Sequence, residues 1–361
     1  MNQVKDTCNV WILGAAGRTG RALASRLVAR GFTPTLLGRN VETLQRLARE
    51  LGGTDAIPCI TCDNAMDMAG MIAVQRPAIV FNALGNYAAS AMPIARACLY
   101  GAHYVDLAVD LSWMQRLLSL HAEARNAGST FVTGAGFGVL ATEAVVMKLC
   151  EGRPVPAAVR VDALASVATE AGTAGEAFAA TALDVLRTGG RRISNGQLVA
   201  SRLGSNAGTI TLPDGDAVKS AGVPIGELLA AQRASGAADV VATSALAPTG
   251  AFVRPLLPLV GAVVSVPAIG RFALRQMARA RLPETPRPRT HSWGHAIVTW
   301  PDGERAEGWL RAGDGMDYTA EVGATIVSAL AAGRGQRGAF TPGMAFGHAI
   351  AVDAGGTFVL Q

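Results

Sequence analysis

Three glycines near the N-terminus carry the clearest chemical signal in this chain. In VWILGAAGRTGRALASRL, an apolar run meets Gly14, Gly17 and Gly20 at three-residue intervals and then passes into a helical pattern. Each glycine has its own reason to be there. Gly14 permits a tight turn, Gly17 lets a ligand approach the backbone, and Gly20 allows the helix to sit close to the strand. Ala16, Arg18 and Thr19 complete the loop. Bare backbone N–H groups and the positive end of a helix dipole then face outward, an arrangement suited to the pyrophosphate of a dinucleotide.

A second signal lies at the end of the next apolar run, Leu36-Leu37-Gly38-Arg39-Asn40. About 20 residues beyond the glycines, an NAD site would place a carboxylate against the ribose hydroxyls. Here that place holds Arg39, whose guanidinium would instead attract a 2′-phosphate through charge-assisted hydrogen bonds. The expected cofactor is therefore NADP(H). Asn40 is read both as a cofactor contact and as the N-cap of the following helix. Arg18 is a candidate second phosphate contact. At later strand ends, Asp63 is placed near the adenine edge, and Asn82, Ala83 and Gly85 near the nicotinamide ribose, because ligands bind beyond the carboxyl ends of parallel strands.

Hydride transfer needs an acceptor carbon against the nicotinamide and a source of the accompanying proton. Tyr87, Asp106 and Tyr318 are the candidate catalytic donors, each of which can equally be a satisfied structural hydrogen-bonding group. His103 precedes its strand and reads as a packing residue. For an enolisable enoyl substrate, water could protonate the product carbon and no side-chain acid is required.

Several other chemistries lack their residues. None of Tyr87, Tyr100, Tyr104 and Tyr318 has a lysine four positions on, which removes the short-chain dehydrogenase pair. Cys59-x-x-Cys62 has no partner pair to complete a zinc site. His291 and His295 have metal-ligand spacing only on a helix, whereas HSWGHAIVTW alternates as a strand. There is no Gly-x-Ser-x-Gly elbow. No metal site is expected.

These positions need a frame, and the pattern supplies one. Strands are predicted at Val10–Leu13, Thr33–Leu37, Ile57–Cys62, Ala78–Ala83, His103–Leu107 and Thr130–Thr133. Helices fall between them at Thr19–Arg30, Val41–Leu51, Ala88–Tyr100 and Ser112–Asn126. Such alternation implies a parallel, doubly wound Rossmann-type sheet in an α/β protein. After Glu151 the periodicity changes, with strands at Ala158–Leu164, Ala296–Trp300 and Glu307–Arg311 and helices at Gly175–Thr188 and Thr319–Ala332. We therefore expect an NADP-binding domain over 1–150 and a second α+β domain for substrate and dimerisation over 151–339, with 340–361 a candidate to rejoin the first. The proline-rich stretch Leu282–Arg289 should be extended and exposed.

Composition sets the broad class. Half the residues are hydrophobic and 16% charged, as in a well-buried globular enzyme rather than a disordered scaffold. Lysine occurs only at Lys5, Lys148 and Lys219, so the net charge of +5 is carried by arginine. Those arginines are scattered and lack interleaved aromatics, which argues against nucleic acid as a partner. An odd number of cysteines, five, and no apolar leader point to a cytoplasmic location. The segment 252–281 joins an apolar run to Arg254, Arg271, Arg275, Arg279 and Arg281. It reads either as a core helix with a basic face or as a ledge for an acyl chain, an acidic carrier or a membrane surface.

GAAGRTG, LLGRN, FNALGNYA, GAHYVDLAVD and VTGAGFGVLATEAV, followed by AGTAGEAFAATAL, the Tyr318-Thr319 segment and GAFTPGMAFG, resemble in order the saccharopine dehydrogenase-like family, which includes trans-acting enoyl reductases. The resemblance implies NADPH as hydride donor and covers amine, imine and enoyl chemistry. The chain departs from the family pattern at Asn86, where proline is common, and at Leu140 and Ala141. The expectation is an NADPH-dependent reductase of a C=C (enoyl) or C=N (imine) bond in a small or acyl/carrier-bound metabolite. An NADP-dependent dehydrogenase oxidising an amine or alcohol, and a non-catalytic NADP(H)-binding sensor, are the alternatives. A homodimer is the base-rate expectation for assembly.

Overall fold

Short apolar runs closed by glycine or asparagine become strands, and amphipathic stretches between them become helices. The computed structural model describes residues 8–52, 57–169, 171–247 and 256–360. Its first part alternates as β1 (Val10–Leu13), α1 (Arg18–Ala29), β2 (Thr35–Gly38), α2 (Val41–Gly52), β3 (Cys59–Thr61), α3 (Ala65–Gln75), β4 (Ile79–Asn82), α4 (Tyr87–Cys98) and β5 (His103–Asp106). Then come α5 (Leu111–Ser119), α6 (His121–Asn126) and β6 (Thr130–Val132). The single helix expected over Ser112–Asn126 is broken at Leu120, whose N–H bonds the carbonyl of Leu117 at 3.0 Å. That tighter i→i−3 bond ends one helix before the next begins.

The chain continues through α7 (Phe137–Cys150), β7 (Ala158–Leu164), β8 (Gly172–Thr173), α8 (Gly175–Thr188), β9 (Gly190–Ser194), β10 (Gln197–Ser201), β11 (Gly208–Thr211) and β12 (Ala217–Gly222). It proceeds through α9 (Glu227–Ser235), β13 (Asp239–Ser244), α10 (Leu257–Ser265), α11 (Pro267–Arg279), β14 (Arg281–Leu282), β15 (Ser292–Thr299) and β16 (Arg305–Ala312). It ends with α12 (Gly315–Ala331), β17 (Gly338–Phe340), α13 (Pro342–Phe346), α14 (Ala349–Asp353) and β18 (Thr357–Leu360).

Two compact units result. The first comprises residues up to Ala108, Ser112–Gly136 and Met316–Phe346. Its seven strands run β17-β6-β5-β4-β1-β2-β3, all parallel, with β1 at the point where the order reverses. This is the doubly wound Rossmann arrangement, extended by β17 at one edge. Buried on both faces, the central strands are continuously apolar: Trp11, Ile12, Leu13, Leu36, Leu37 and Phe81 are all but inaccessible. Each such side chain contributes about 1.5–3 kcal/mol of burial free energy.

The second unit comprises Val109–Leu111, Phe137–Gly315 and the segment from Gly347 onward. Its nine-stranded sheet follows β10-β9-β13-β7-β15-β16-β18, with β12 also pairing with β13 and carrying β11 beyond it; β13 and β7 are parallel and the other pairs antiparallel. The buried helix α7 lies across it: a Cβ at Gly294 would come within 2.6 Å of the Ala141 Cβ. A Rossmann-type α/β domain thus accompanies a mixed-sheet α+β domain.

The expected boundaries at 150 and 339 are corrected by this division. Helix α7 belongs with the second unit, because Gly294 and Gly308 open the sheet surface to it. Helix α12 belongs with the first. Gly323 fits against the Phe81 ring and Leu23, and Arg26 of α1 and Arg30 at its C-cap pair with Glu321. Residues 340–361 are split: β17 pairs with β6 in the first unit, while β18 pairs with β16 in the second. Pro283–Pro288 is exposed along its length.

Candidate functional site

The ends of β1 and β4 converge on Gly14. Its φ of +76° is the left-handed turn glycine permits, and a Cβ there would lie 2.8 Å from the Ala83 carbonyl oxygen. The Gly14 N–H and Ala15 N–H both bond the Leu37 carbonyl, at 3.0 and 3.1 Å, so the loop is fixed to β2 as well. Gly20 is buried beneath this turn: a Cβ would come within 2.4 Å of the Gly14 oxygen and 2.8 Å of the Ala15 Cα. Gly17, by contrast, is exposed and begins α1 with no side-chain cap and no acidic residue in the first turn. Ala16, Arg18 and Thr19 are half-buried around it. The residues present therefore fit a pyrophosphate: the loop is held open by glycine, and no carboxylate opposes the helix dipole.

At the end of β2, Arg39 and Asn40 are both exposed. The Asn40 Oδ1 accepts the Thr43 N–H at 2.7 Å and so caps α2. Its side chain is committed to the helix, and Arg39 stands exposed beside it. Asp63 is exposed at the end of β3, followed by Asn64, which caps α3 through the Met66 and Asp67 N–H groups.

After β4, Ala83 and Gly85 are half-buried and Asn82 is wholly buried. Asn82 Nδ2 donates to the Tyr104 hydroxyl at 3.1 Å, and its Oδ1 accepts the Leu84 N–H at 3.2 Å. It shapes the loop from beneath, with its side-chain amide directed into the protein. Asn86, at φ +46° and ψ +48°, follows Gly85 at φ +72°. Proline cannot take a positive φ, so the turn differs here from one built on the family's common proline.

None of the three candidate donors has a free, exposed acid. The Tyr87 hydroxyl donates to the Asn82 carbonyl at 3.2 Å. Asp106 is inaccessible: one oxygen accepts Thr133 Oγ1 at 2.7 Å and the Ala108 and Gly134 N–H groups, and the other accepts the Trp113 indole at 2.6 Å. Burial raises its pKa, and the bonds from Trp113, Thr133 and Ala108 only partly offset that. Asp106 is a knot joining the end of β5 to the loop after β6 and to α5, with Tyr104 linking it to Asn82. Tyr318, expected in the second domain, lies on α12 in the first unit, and burial raises its pKa. His103 sits at the opposite end of β5, where its Nδ1 accepts the Thr130 N–H and burial lowers its pKa to about 4.

Residues 10–132 match the family described as the saccharopine dehydrogenase NADP binding domain. The match falls on the first unit, which holds an NADP-binding domain. It makes the chain an NADP-dependent oxidoreductase, with NADP(H) as cofactor. No curated protein matches the chain in sequence. Among solved structures, serine dehydrogenase from Escherichia coli is similar over 34% of this chain and 80% of its own, at 19% identity and a TM-score of 0.29. A metagenomic short-chain oxidoreductase in complex with NADP is similar over 36% and 82%, at 14% identity and a TM-score of 0.30. A short-chain dehydrogenase/reductase from Brucella melitensis covers 37% and 76%, at 18% identity and 0.30.

The second unit holds polar clusters that spacing did not reveal. His295 lies between Asp162 at 2.7 Å and Glu307 at 3.0 Å and stacks on Trp309. Burial alone would raise the Asp162 pKa, but hydrogen bonds from His295 and Arg160 hold it below the usual carboxylate range. The strand assignment explains this cluster: β15 sets His295 opposite both Asp162 and Trp309. Glu227, at the start of α9, is buried against Gly138. Burial raises its pKa to about 7. Neither was legible before the strands were paired. Cys62 is buried beside Met71, with Sγ and Sδ 3.6 Å apart.

Proposed function

We propose that this protein is an NADPH-dependent reductase of a polarised double bond, an enoyl C=C or an imine C=N, in a small or acyl/carrier-bound metabolite. One observation carries the choice. Tyr87 is engaged with a backbone carbonyl, Asp106 is enclosed by four donors, and Tyr318 is buried. Oxidising an alcohol calls for a base that takes the hydroxyl proton as hydride leaves. Reducing an enoyl or imine bond makes no such demand, since water can supply the proton.

Bound NADPH supplies the hydride. Gly14, Gly17 and Gly20, with Ala16, Arg18 and Thr19, would seat its pyrophosphate, and Arg39 would take its 2′-phosphate. Asp63 would lie beside the adenine, while Asn40 holds the helix after Arg39. Ala83 and Gly85, supported from below by Asn82, would border the nicotinamide ribose. For an enoyl thioester, hydride adds to the β-carbon, the C=C electron pair moves towards the carbonyl oxygen, and a water proton reaches the α-carbon. The products are the saturated thioester and NADP⁺. For an imine, hydride adds to carbon and the proton to nitrogen.

The test uses NADPH carrying deuterium at the transferred position, with a panel of enoyl thioesters and cyclic imines. Expected is deuterium at the β-carbon or imine carbon, with the α-proton exchanging from solvent. Oxidation of an amine or alcohol with NADP⁺, without reduction of any double bond, would overturn the reading. NADPH binding without turnover across the panel would favour a sensor.

A further inference from the structure

Helices α10 and α11 meet at an angle of 107° around Val266. Their inner side is held by two close approaches, one to α8 and one between the two helices. A Cβ at Gly261 would lie 2.4 Å from the Leu186 carbonyl oxygen, and one at Gly270 within 2.5 Å of the Val264 carbonyl oxygen. Arg187 Nε donates to that same Val264 carbonyl at 3.0 Å, tying α8 to the last turn of α10. The pair is therefore seated with one face inward and the other outward.

The outward face is unusually apolar. Leu256, Leu259, Val260, Val263, Val266, Ile269 and Phe272 are each between 41% and 66% exposed. The first four follow i, i+3, i+4, i+7 spacing, and Ile269 and Phe272 continue the face on α11. Monomeric soluble proteins rarely leave contiguous apolar surface of this kind uncovered. Beside Phe272, Arg271, Arg275 and Arg279 repeat every four residues, all exposed, and Arg281 follows. No aspartate or glutamate occurs from 256 to 281. Arg254, which belongs to the same basic set in sequence, lies outside the described residues.

We propose that this face docks the protein on an anionic lipid bilayer. Two features select a bilayer over an acidic protein. The face offers few hydrogen-bonding groups, and Ser265 already spends its hydroxyl on the Gly261 carbonyl at 2.7 Å. Its charge is of one sign along one helix side, bordering bulky apolar groups, which matches a headgroup layer above hydrocarbon. Neither helix alone, at nine and thirteen residues, reaches the roughly 20 a span requires, and the 107° bend keeps the two from forming one straight span, so the proposed placement of the pair is in the interface.

The experiment is flotation of the full chain with vesicles of neutral phosphatidylcholine and with vesicles containing phosphatidylglycerol, at low and high salt. Co-flotation with the anionic vesicles, weakened by salt and absent with neutral ones, is expected. Arg275→Glu with Arg279→Glu should weaken partitioning about 30-fold or more, at the usual contribution per basic side chain near an anionic surface. Leu259→Ser with Phe272→Ser should also release the protein, with circular dichroism confirming that each variant is folded. No flotation of the wild type overturns the proposal, as does flotation indifferent to both pairs. Binding to an acidic acyl carrier protein, or a dimer dispersed by Phe272→Ser, in either case without vesicle binding, would assign the face to another occupant and overturn it.

Discussion

Replacing Arg39 with aspartate should reverse the nucleotide preference while leaving the fold intact. The Arg39 side chain is exposed at the end of β2, and the neighbouring cap is made by Asn40, so the substitution removes no hydrogen bond or ion pair among the described residues. A hydrogen bond to a charged group contributes about 1.5–3 kcal/mol, and exposure places this one at the lower end. Its loss weakens NADPH by about tenfold. The introduced carboxylate then repels the 2′-phosphate by about 1 kcal/mol at 4 Å in water, a further factor of about five. For NADH the same carboxylate can accept the ribose hydroxyls. The ratio of affinities should move by on the order of 100-fold towards NADH, worked from these two terms and that gain. Calorimetric titration of both nucleotides on both proteins measures it, and raising the salt should shrink the NADPH difference. Affinities that are unchanged, or that fall equally for the two nucleotides, would refute the placement of the 2′-phosphate at Arg39.

Gly20→Ala places a Cβ against the Gly14 carbonyl and Ala15, so it should lower thermal stability by about 1–3 kcal/mol and nucleotide affinity with it. Gly17→Ala meets only the Gly14 oxygen, at 3.2 Å, and should keep the melting temperature near wild type while losing NADPH binding. Asp106→Asn should destabilise by about 1–3 kcal/mol, because asparagine keeps only one acceptor oxygen and turns an NH2 group towards either the Trp113 indole or the Thr133 hydroxyl; denaturant melts check this, and loss of turnover with stability unchanged would instead make Asp106 catalytic. Glu227, raised from 4.5 to about 7 by burial, binds a proton in the folded state over a range where the unfolded chain has released it. Stability should therefore be greatest below pH 4.5 with respect to this group and fall as pH rises to about 7, by about 3 kcal/mol in all. Glu227→Gln should flatten that slope in denaturant melts taken across the range.

The nucleotide half was legible because its information is local. Gly14, Gly17 and Gly20 lie within one strand–turn–helix, and the reading of Arg39 rests on its position where an NAD site would place a carboxylate. What could not be read was whatever depends on distant partners. Position in the chain puts Tyr318 in the second unit, whereas the fit of Gly323 on Phe81, and of Arg26 and Arg30 on Glu321, joins segments far apart in the chain and puts it in the first. Asp106 drew attention as an acid at a strand end, yet a carboxylate there is equally an acceptor. Only the positions of Trp113 and Thr133 show which it is. The contacts of His295 with Asp162 and Trp309 likewise exist only once β7, β15 and β16 are in register.

Asn86 shows how the same limit bears on chemistry. In sequence it is simply a residue where the family commonly has proline. In the structure it is the second of two consecutive left-handed residues, with Ser90 Oγ donating to the carbonyls of Gly85 and Asn86. A proline there would fix φ near −65° and force Gly85 and the start of α4 to move. The loop at the expected nicotinamide position is thus built on two consecutive left-handed residues that a proline at 86 could not reproduce. The NADP-binding match covers residues 10–132, which include the glycine loop and Asn86 alike, so the turn at Asn86 is a place to test for an effect on substrate choice. The cofactor follows from the family match, while the substrate has to be found by turnover.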